Sequence, residues 1–303
     1  FWLLLYHPKS RSIHESKLLG EMAALRETLA ASLRTASLPS FGLDAEGLIN
    51  FLWPILNPQS MFSQEAFPEL RYDDGKSIKH QLTAFGQHVR VKADELLFGL
   101  PPEQEGDEDH RIAVRGFGVL QYPQKKELWE MANIIGSFFD DGLQYPCPFL
   151  VCGGVFTLDA NLADGKAQLK AARSKQNAKS RMAEFQPELQ AQANDWDIVL
   201  QQLDNGGSLC ELYHTLLLFA PRRVINRASQ VALNIWRSER FTICPLQLLQ
   251  LSSLYASLPM TLTEGVRDDL KKLRLITTKT TVNAVDMAPV IGADLARVDP
   301  SGF

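Results

Sequence analysis

The chain has 303 residues, 45% of them apolar, and 31 Lys plus Arg stand against 35 Asp plus Glu for a formal charge of −4. At roughly 150 residues per domain this length predicts two domains with ample material for packed cores, and the near balance of charge excludes whole-chain attraction to nucleic acid or anionic lipid. The longest apolar runs, Phe1 to Tyr6 and Leu216 to Ala220, are far shorter than the ~18 residues of a spanning helix. Four cysteines, Cys147, Cys152, Cys210 and Cys244, form no CxxC pair; such sparse usage predicts a reduced, cytoplasmic setting instead of a disulfide scaffold. An opening at Phe1 without an initiator Met leads us to expect a piece of a longer polypeptide.

In chain order, Phe1 to Tyr6 reads as a buried strand. From Ser16 to Leu33 the residues Leu18, Met22, Leu25, Leu29 and Leu33 recur at three- and four-residue steps and predict an amphipathic helix. Asp44 is the expected N-cap of a helix to about Leu56, stopped by Pro58. Thr83 to Gly99 predicts one or two strands. The stretch 101–109, PPEQEGDED, holds five acidic residues, two prolines and no apolar side chain except the proline rings, so it predicts a solvated loop.

Ile112 to Leu120 then predicts a strand, Pro123 to Phe139 a helix, and Phe149 to Leu158 a second strand. Leu209 to Phe219 repeats the pattern with a helix opened by Pro221 and a short strand at Phe241 to Cys244. Two βαβ units in succession predict an α+β fold: a ferredoxin-like, split-βαβ antiparallel sheet with flanking helices. A polar stretch from about 160 to 203 reads as a long helical insertion, divided by Pro187 and carrying Met182, Phe185, Leu189, Trp196, Val199 and Leu203 on a heptad-like repeat. The expected organisation is a partial α+β subdomain at 1–100, the acidic loop at 101–110, the ferredoxin-like subdomain at 111–244, and a helical connector at 245–303.

Motifs for chemistry are scarce. No window matches GxxxxGK[ST], no GxSxG elbow is present, and Gly116-Phe117-Gly118 and Gly153-Gly154 fall within predicted strands, where close packing or a bulge explains them. The six histidines, at positions 7, 14, 80, 88, 110 and 214, show no zinc spacing. His214 reads as a core histidine, and Asp73-Asp74 and Asp140-Asp141, each followed by Gly, read as turn formers. No catalytic, cofactor-binding or metal-binding residue emerges. One charge feature stands out: Lys166, Lys170, Arg173, Lys175, Lys179 and Arg181 are six cations within sixteen residues on a predicted helix, with no acidic residue interposed. They are the candidate partner-binding residues, suited to phosphates, acidic lipid heads or an acidic protein.

The run from Arg111 through Phe156, with Leu128-Trp129 and Cys147-Pro148-Phe149, resembles the amino-terminal region of the TraC family, the traffic ATPases of F-type conjugative type IV secretion systems. The similarity continues through Trp196 and Pro221 to Ser257–Met260 (SLPM) and Thr281–Asp294 (TVNAVDMAPVIGAD). This resemblance implies a protein peripheral to the bacterial inner membrane on its cytoplasmic side, self-associating as a hexamer and partnered by inner-membrane secretion subunits in pilus assembly and DNA transfer. It places the ATPase motor, with its ATP and Mg, after Phe303, so no cofactor is expected in this segment. The expected role is a non-catalytic docking and assembly domain that presents an exposed sheet and the basic helix. A nucleic-acid-binding ferredoxin-like module and an unrecognised enzyme are the competing expectations.

Overall fold

The structure, a computed structural model, describes residues 16–35, 41–63, 68–99, 111–123, 128–137, 140–158, 160–259, 264–273, 276–277 and 279–281. The strand expected at 1–6, the acidic loop at 101–109 and the stretch beyond 281 lie outside the described residues.

The helix expected near the start is α1 (Ser16–Thr35). Its stripe is covered only in part: Met22, Leu29 and Leu33 are half-buried while Leu25 is exposed. Helix α2 (Ala45–Leu56) starts where Asp44 accepts a hydrogen bond from Gly47 N at 2.7 Å, satisfying one of the amides that a helix start leaves unpaired. It ends at Asn57, whose buried side chain donates to Trp53 O and Leu82 O and accepts from Ala84 N, tying the helix end to the loop after the short α3 (Ile78–Gln81).

An antiparallel sheet organises the rest. Strands β1 (His88–Val91) and β2 (Leu96–Gly99) form a hairpin, and β2 pairs with β3 (Ile112–Gln121). Strand β5 (Cys210–Pro221) lies between β3 and β4 (Phe149–Thr157), and β6 (Thr242–Pro245) pairs with β3. The lateral order β6-β3-β5-β4 is antiparallel at every step. Because β2 takes residues 112–114 of β3 and β6 takes 117–121, these two strands lie end to end along one edge of β3. A short β7 (Lys279–Thr281), not anticipated from the sequence, pairs with the first residues of β5.

Alternation along β3 and β5 sends one set of side chains to each face of the sheet. Phe117, Leu216 and Leu218 pack against Ile225, Ala228, Ala232, Ile235 and Trp236 of α6 (Arg222–Ser238). On the other face Val114, Leu217 and Phe219 meet Ile55 of α2 and Leu254 of α7 (Gln250–Ala256). Tyr213 and Ala256 pack with Leu270 of α8 (Glu264–Lys272) in a third cluster. Residues 112–119 and 211–220 are therefore buried on both faces. This corrects the expectation of an exposed sheet: apolar residues at consecutive positions, as in Leu216-Leu217-Leu218-Phe219, require cover on both sides.

The segment expected as an α-helix from Pro123 to Phe139 also differs. Its described part, Leu128–Ile135, is a 3-10 helix ended by Gly136 at φ 101°. Met131 and Ile134, both fully buried, are three residues apart, the spacing that a three-residue turn stacks on one face.

Arg115 is a buried cation in the middle of β3. Its guanidinium donates to Glu95 at 3.1 Å, Asp94 at 3.3 Å, and Asn226 and Ser229 of α6 at 3.0 Å each. Glu95, also buried, accepts from Arg222 Nε at 3.2 Å. Pairing and hydrogen bonding together are what make a charge tolerable at such a depth, and the network fixes the β1–β2 hairpin to α6.

The polar insertion is a helical hairpin between adjacent strands. It leaves the sheet after Leu158, whose N–H bonds Leu209 O at 2.9 Å, and consists of α4 (Ala160–Ala178), a 3-10 turn at Arg181–Glu184, and α5 (Pro187–Asp204). Pro187 divides the two helices as its sequence position predicted, standing in the first turn of α5 where no N–H is needed. Ala163, Ala167, Ala171 and Ser174 form the buried stripe of α4, and these small side chains allow α5 a close approach. Among the described residues no helix is long and apolar enough to cross a membrane.

Candidate functional site

At 100° per residue, the cations of α4 cannot form one continuous face. Lys166, Lys170 and Arg173 flank the buried alanine stripe on one side, where they line a cleft of about 200 Å³ with Leu169, Trp196, Leu209, Glu211 and Thr280. Lys175 emerges on the opposite side and pairs with Asp197 of α5 at 2.7 Å. Lys179 lies just past the end of α4, and Arg181 opens the 3-10 turn; both are exposed.

The cations have distinct local duties. Lys166 reaches the nearly buried carboxylate of Glu211 on β5 at 3.5 Å, and Lys271 of α8 holds its other oxygen at 2.5 Å. This pair of lysines supplies the countercharge that an acidic side chain at that depth needs. Lys170 Nζ lies 5.3 Å from the centre of the Trp196 ring, a cation–π contact worth about 0.5–1 kcal/mol when exposed. Arg173 forms no ion pair with any described residue. The cleft thus has three cations and one carboxylate on its walls, with an apolar side made of Trp196 and the exposed Leu169.

Sequence inspection found the cations but missed Glu211 and Asp197. Both acids arrive from other elements, so the run that is uninterrupted along the chain is partly neutralised in space. Alternation along β5 could have flagged Glu211, a lone carboxylate at the head of an apolar strand.

The remaining candidates have structural duties. Asp73 accepts from Gly75 N and pairs with Lys76, whose hydrogen bond and then the backbone one hold its carboxyl below the usual carboxylate range. Asp140 accepts from Gly142 N at 2.8 Å. His214 is buried beside the rings of Tyr122 and Phe241. Burial pushes the thiols of Cys147 and Cys152 up to about 11, the opposite of an activated nucleophile. Among the described residues no group of three His, Cys, Asp or Glu could hold a metal ion. Phe117, the aromatic that base stacking on β3 would require, is fully buried. Gly154 is covered by the Tyr213 ring, and Gly116 by Ser253, so both glycines serve close packing.

A family model described as "TraC protein" matches residues 1–262; the chain belongs to this family. It is 21% identical over 276 residues to Protein TraC of Escherichia coli (strain K12), an alignment that covers 89% of this chain and 31% of that protein. The chain therefore spans under a third of the length of this relative.

Proposed function

We propose that this chain is the non-catalytic amino-terminal docking and assembly domain of a conjugative type IV secretion ATPase, acting in pilus assembly and DNA transfer. Membership of the TraC family supports the machine, and the short share of the relative's length supports a domain whose motor, with ATP and Mg, lies elsewhere. The lateral order β6-β3-β5-β4, with α6 between β5 and β6, is the order expected of a ferredoxin-like split-βαβ core, here interrupted by the α4–α5 insertion. Its neighbours in this reading are inner-membrane secretion subunits and further copies of itself in a hexamer, at the cytoplasmic face of the inner membrane.

The observation that carries the docking role is the cationic, partly apolar cleft at the base of the inserted hairpin. Lys170, Arg173, Lys179 and Arg181 are the contact residues in this reading; Lys166 and Lys175 hold the hairpin through Glu211 and Asp197. Capture of inner-membrane secretion subunits by the immobilised chain should fall several-fold with the pair Lys170→Glu and Arg173→Glu, both of which line the cleft. Unchanged capture removes the cleft from the docking surface. ATP turnover by the purified 303-residue chain would overturn the non-catalytic assignment.

A further inference from the structure

Among the described strands β4 is the outermost on its side of the sheet, and its sequence FLVCGGVFT contains no charge and no proline over nine residues. Its pairing with β5 runs without a register shift from Phe149 to Thr157. Sheet edges of soluble proteins are normally blunted by lysine, proline, a bulge or brevity. None of these devices is present on β4.

The hydrogen-bond phase of this edge follows from the two bonds that flank it. Pro148 O accepts from Phe219 N, and Leu158 N donates to Leu209 O. In an antiparallel ladder the groups that face the neighbour alternate, so even-numbered residues of β4 bond to β5. The N–H and C=O groups of Phe149, Val151, Gly153, Val155 and Thr157 point away from the sheet, and among the described residues they meet no partner strand. Val155 also holds its side chain 56% exposed beside this edge.

We infer that β4 pairs antiparallel with β4 of a second copy of this chain, about a two-fold axis through Gly153. This register uses all nine residues. It sets Gly153 against Gly153 of the second copy, Val151 against Val155, and Phe149 against Thr157. All of these are outward-facing positions, so every pair exchanges hydrogen bonds, about ten across the join. The parity is self-consistent: odd residues meet odd ones, and the α6 side of one sheet continues as the α6 side of the other. Val155 gains Val151 of the second copy as its cross-strand neighbour, the type of pair that stabilises a sheet. No charge on either strand opposes self-pairing, and the contact is isologous and closes at two. This inference rests on the assembly role proposed above only in calling for self-association; the basic cleft takes no part in it.

Analytical ultracentrifugation of the purified 303-residue chain should show a concentration-dependent monomer–dimer equilibrium. Val155→Lys should abolish the dimer while circular dichroism, and the melting temperature at concentrations where the wild-type chain is monomeric, stay unchanged, because position 155 is exposed in the monomer. Residue-resolved hydrogen exchange should show the amides of Val151, Gly153 and Val155 becoming protected at least tenfold as concentration rises, while those of Cys152 and Gly154 are protected throughout. A chain that stays monomeric at every concentration, a dimer indifferent to Val155→Lys, or concentration-dependent protection that spares Val151, Gly153 and Val155 overturns the inference. Arg173→Glu should leave the dimer intact and Val155→Lys should leave subunit capture intact, so the two proposals fail separately.

Discussion

Gln250 completes the hydrogen bonding of Gly116. The Gly116 N–H donates to Gln250 Oε1 at 2.6 Å, and Gln250 Nε2 lies 3.4 Å from Gly116 O. Gly116 sits at the joint where the outer partner of β3 changes from β2 to β6: its C=O accepts from Leu246 N, just past β6, at 2.9 Å, but no strand carbonyl is available to its N–H. The side-chain amide of Gln250 takes the place of a missing peptide group and fastens α7 to the sheet. Gln250→Leu keeps the apolar volume but leaves a buried N–H unpaired, which costs about 1–3 kcal/mol. Urea unfolding should show a lower midpoint with an unchanged slope. Gly116→Ala should be at least as damaging, since its Cβ would collide with Ser253.

Glu95 stands between two arginines. Its replacement by Ala leaves Arg115 buried with one of its two carboxylates removed, and breaking a buried pair in this way costs about 3–5 kcal/mol. The half-exposed Asp94 remains near Arg115 at 3.3 Å, so the loss should lie at the lower end of that range. The double change Glu95→Leu with Arg115→Met, read in a mutant cycle by chemical denaturation, should recover most of the deficit.

The buried thiols predict an alkaline limit to stability. Cys147 and Cys152 are pushed up to about 11 by burial, whereas an unfolded thiol titrates near 8.5. Below about pH 8.5 both states hold the proton and stability is insensitive to these groups. Between about 8.5 and 11 the unfolded chain loses protons that the folded chain keeps, so stability falls as pH rises. Melting temperature should decline across this window, and Cys147→Ala or Cys152→Ala should flatten the decline.

Ala167 is fully buried on the stripe of α4 that meets α5. Ala167→Leu would force the hairpin apart, with overpacking costs of about 1–3 kcal/mol. The Lys175–Asp197 pair, by contrast, is half-exposed on both partners; Asp197→Asn should change stability by less than about 1 kcal/mol. Proteolysis of the hairpin, with intact sheet fragments quantified by mass spectrometry, separates the two effects.

Periodicity made much of this architecture legible. The steps from Met22 to Leu33 marked a helix at α1, and Asp44, Pro187 and Pro221 marked where helices begin, because these signals act within one turn of chain. The joint at Gly116 was invisible, since it exists only where β2 and β6, distant in sequence, share one edge of β3. Cover on both faces was written in the unbroken apolar run of β5 but was read through the expectation of an open sheet. The basic run showed its charge and hid its neutralisation, as Asp197 and Glu211 lie 16 or more residues beyond Arg181. Its division between two sides of α4 followed from helical geometry alone.

The single hydrogen bond between Leu158 and Leu209 closes the base of the inserted hairpin, so its two ends enter and leave the sheet at one point. A module attached in this way can lengthen, shorten or exchange its surface charge without shifting the register of any strand. Apart from Lys166, which is tied to Glu211 of β5, selection on what the hairpin touches is thereby uncoupled from selection on the core, and divergence among relatives should concentrate in α4 and α5 while β5 and α6 change slowly.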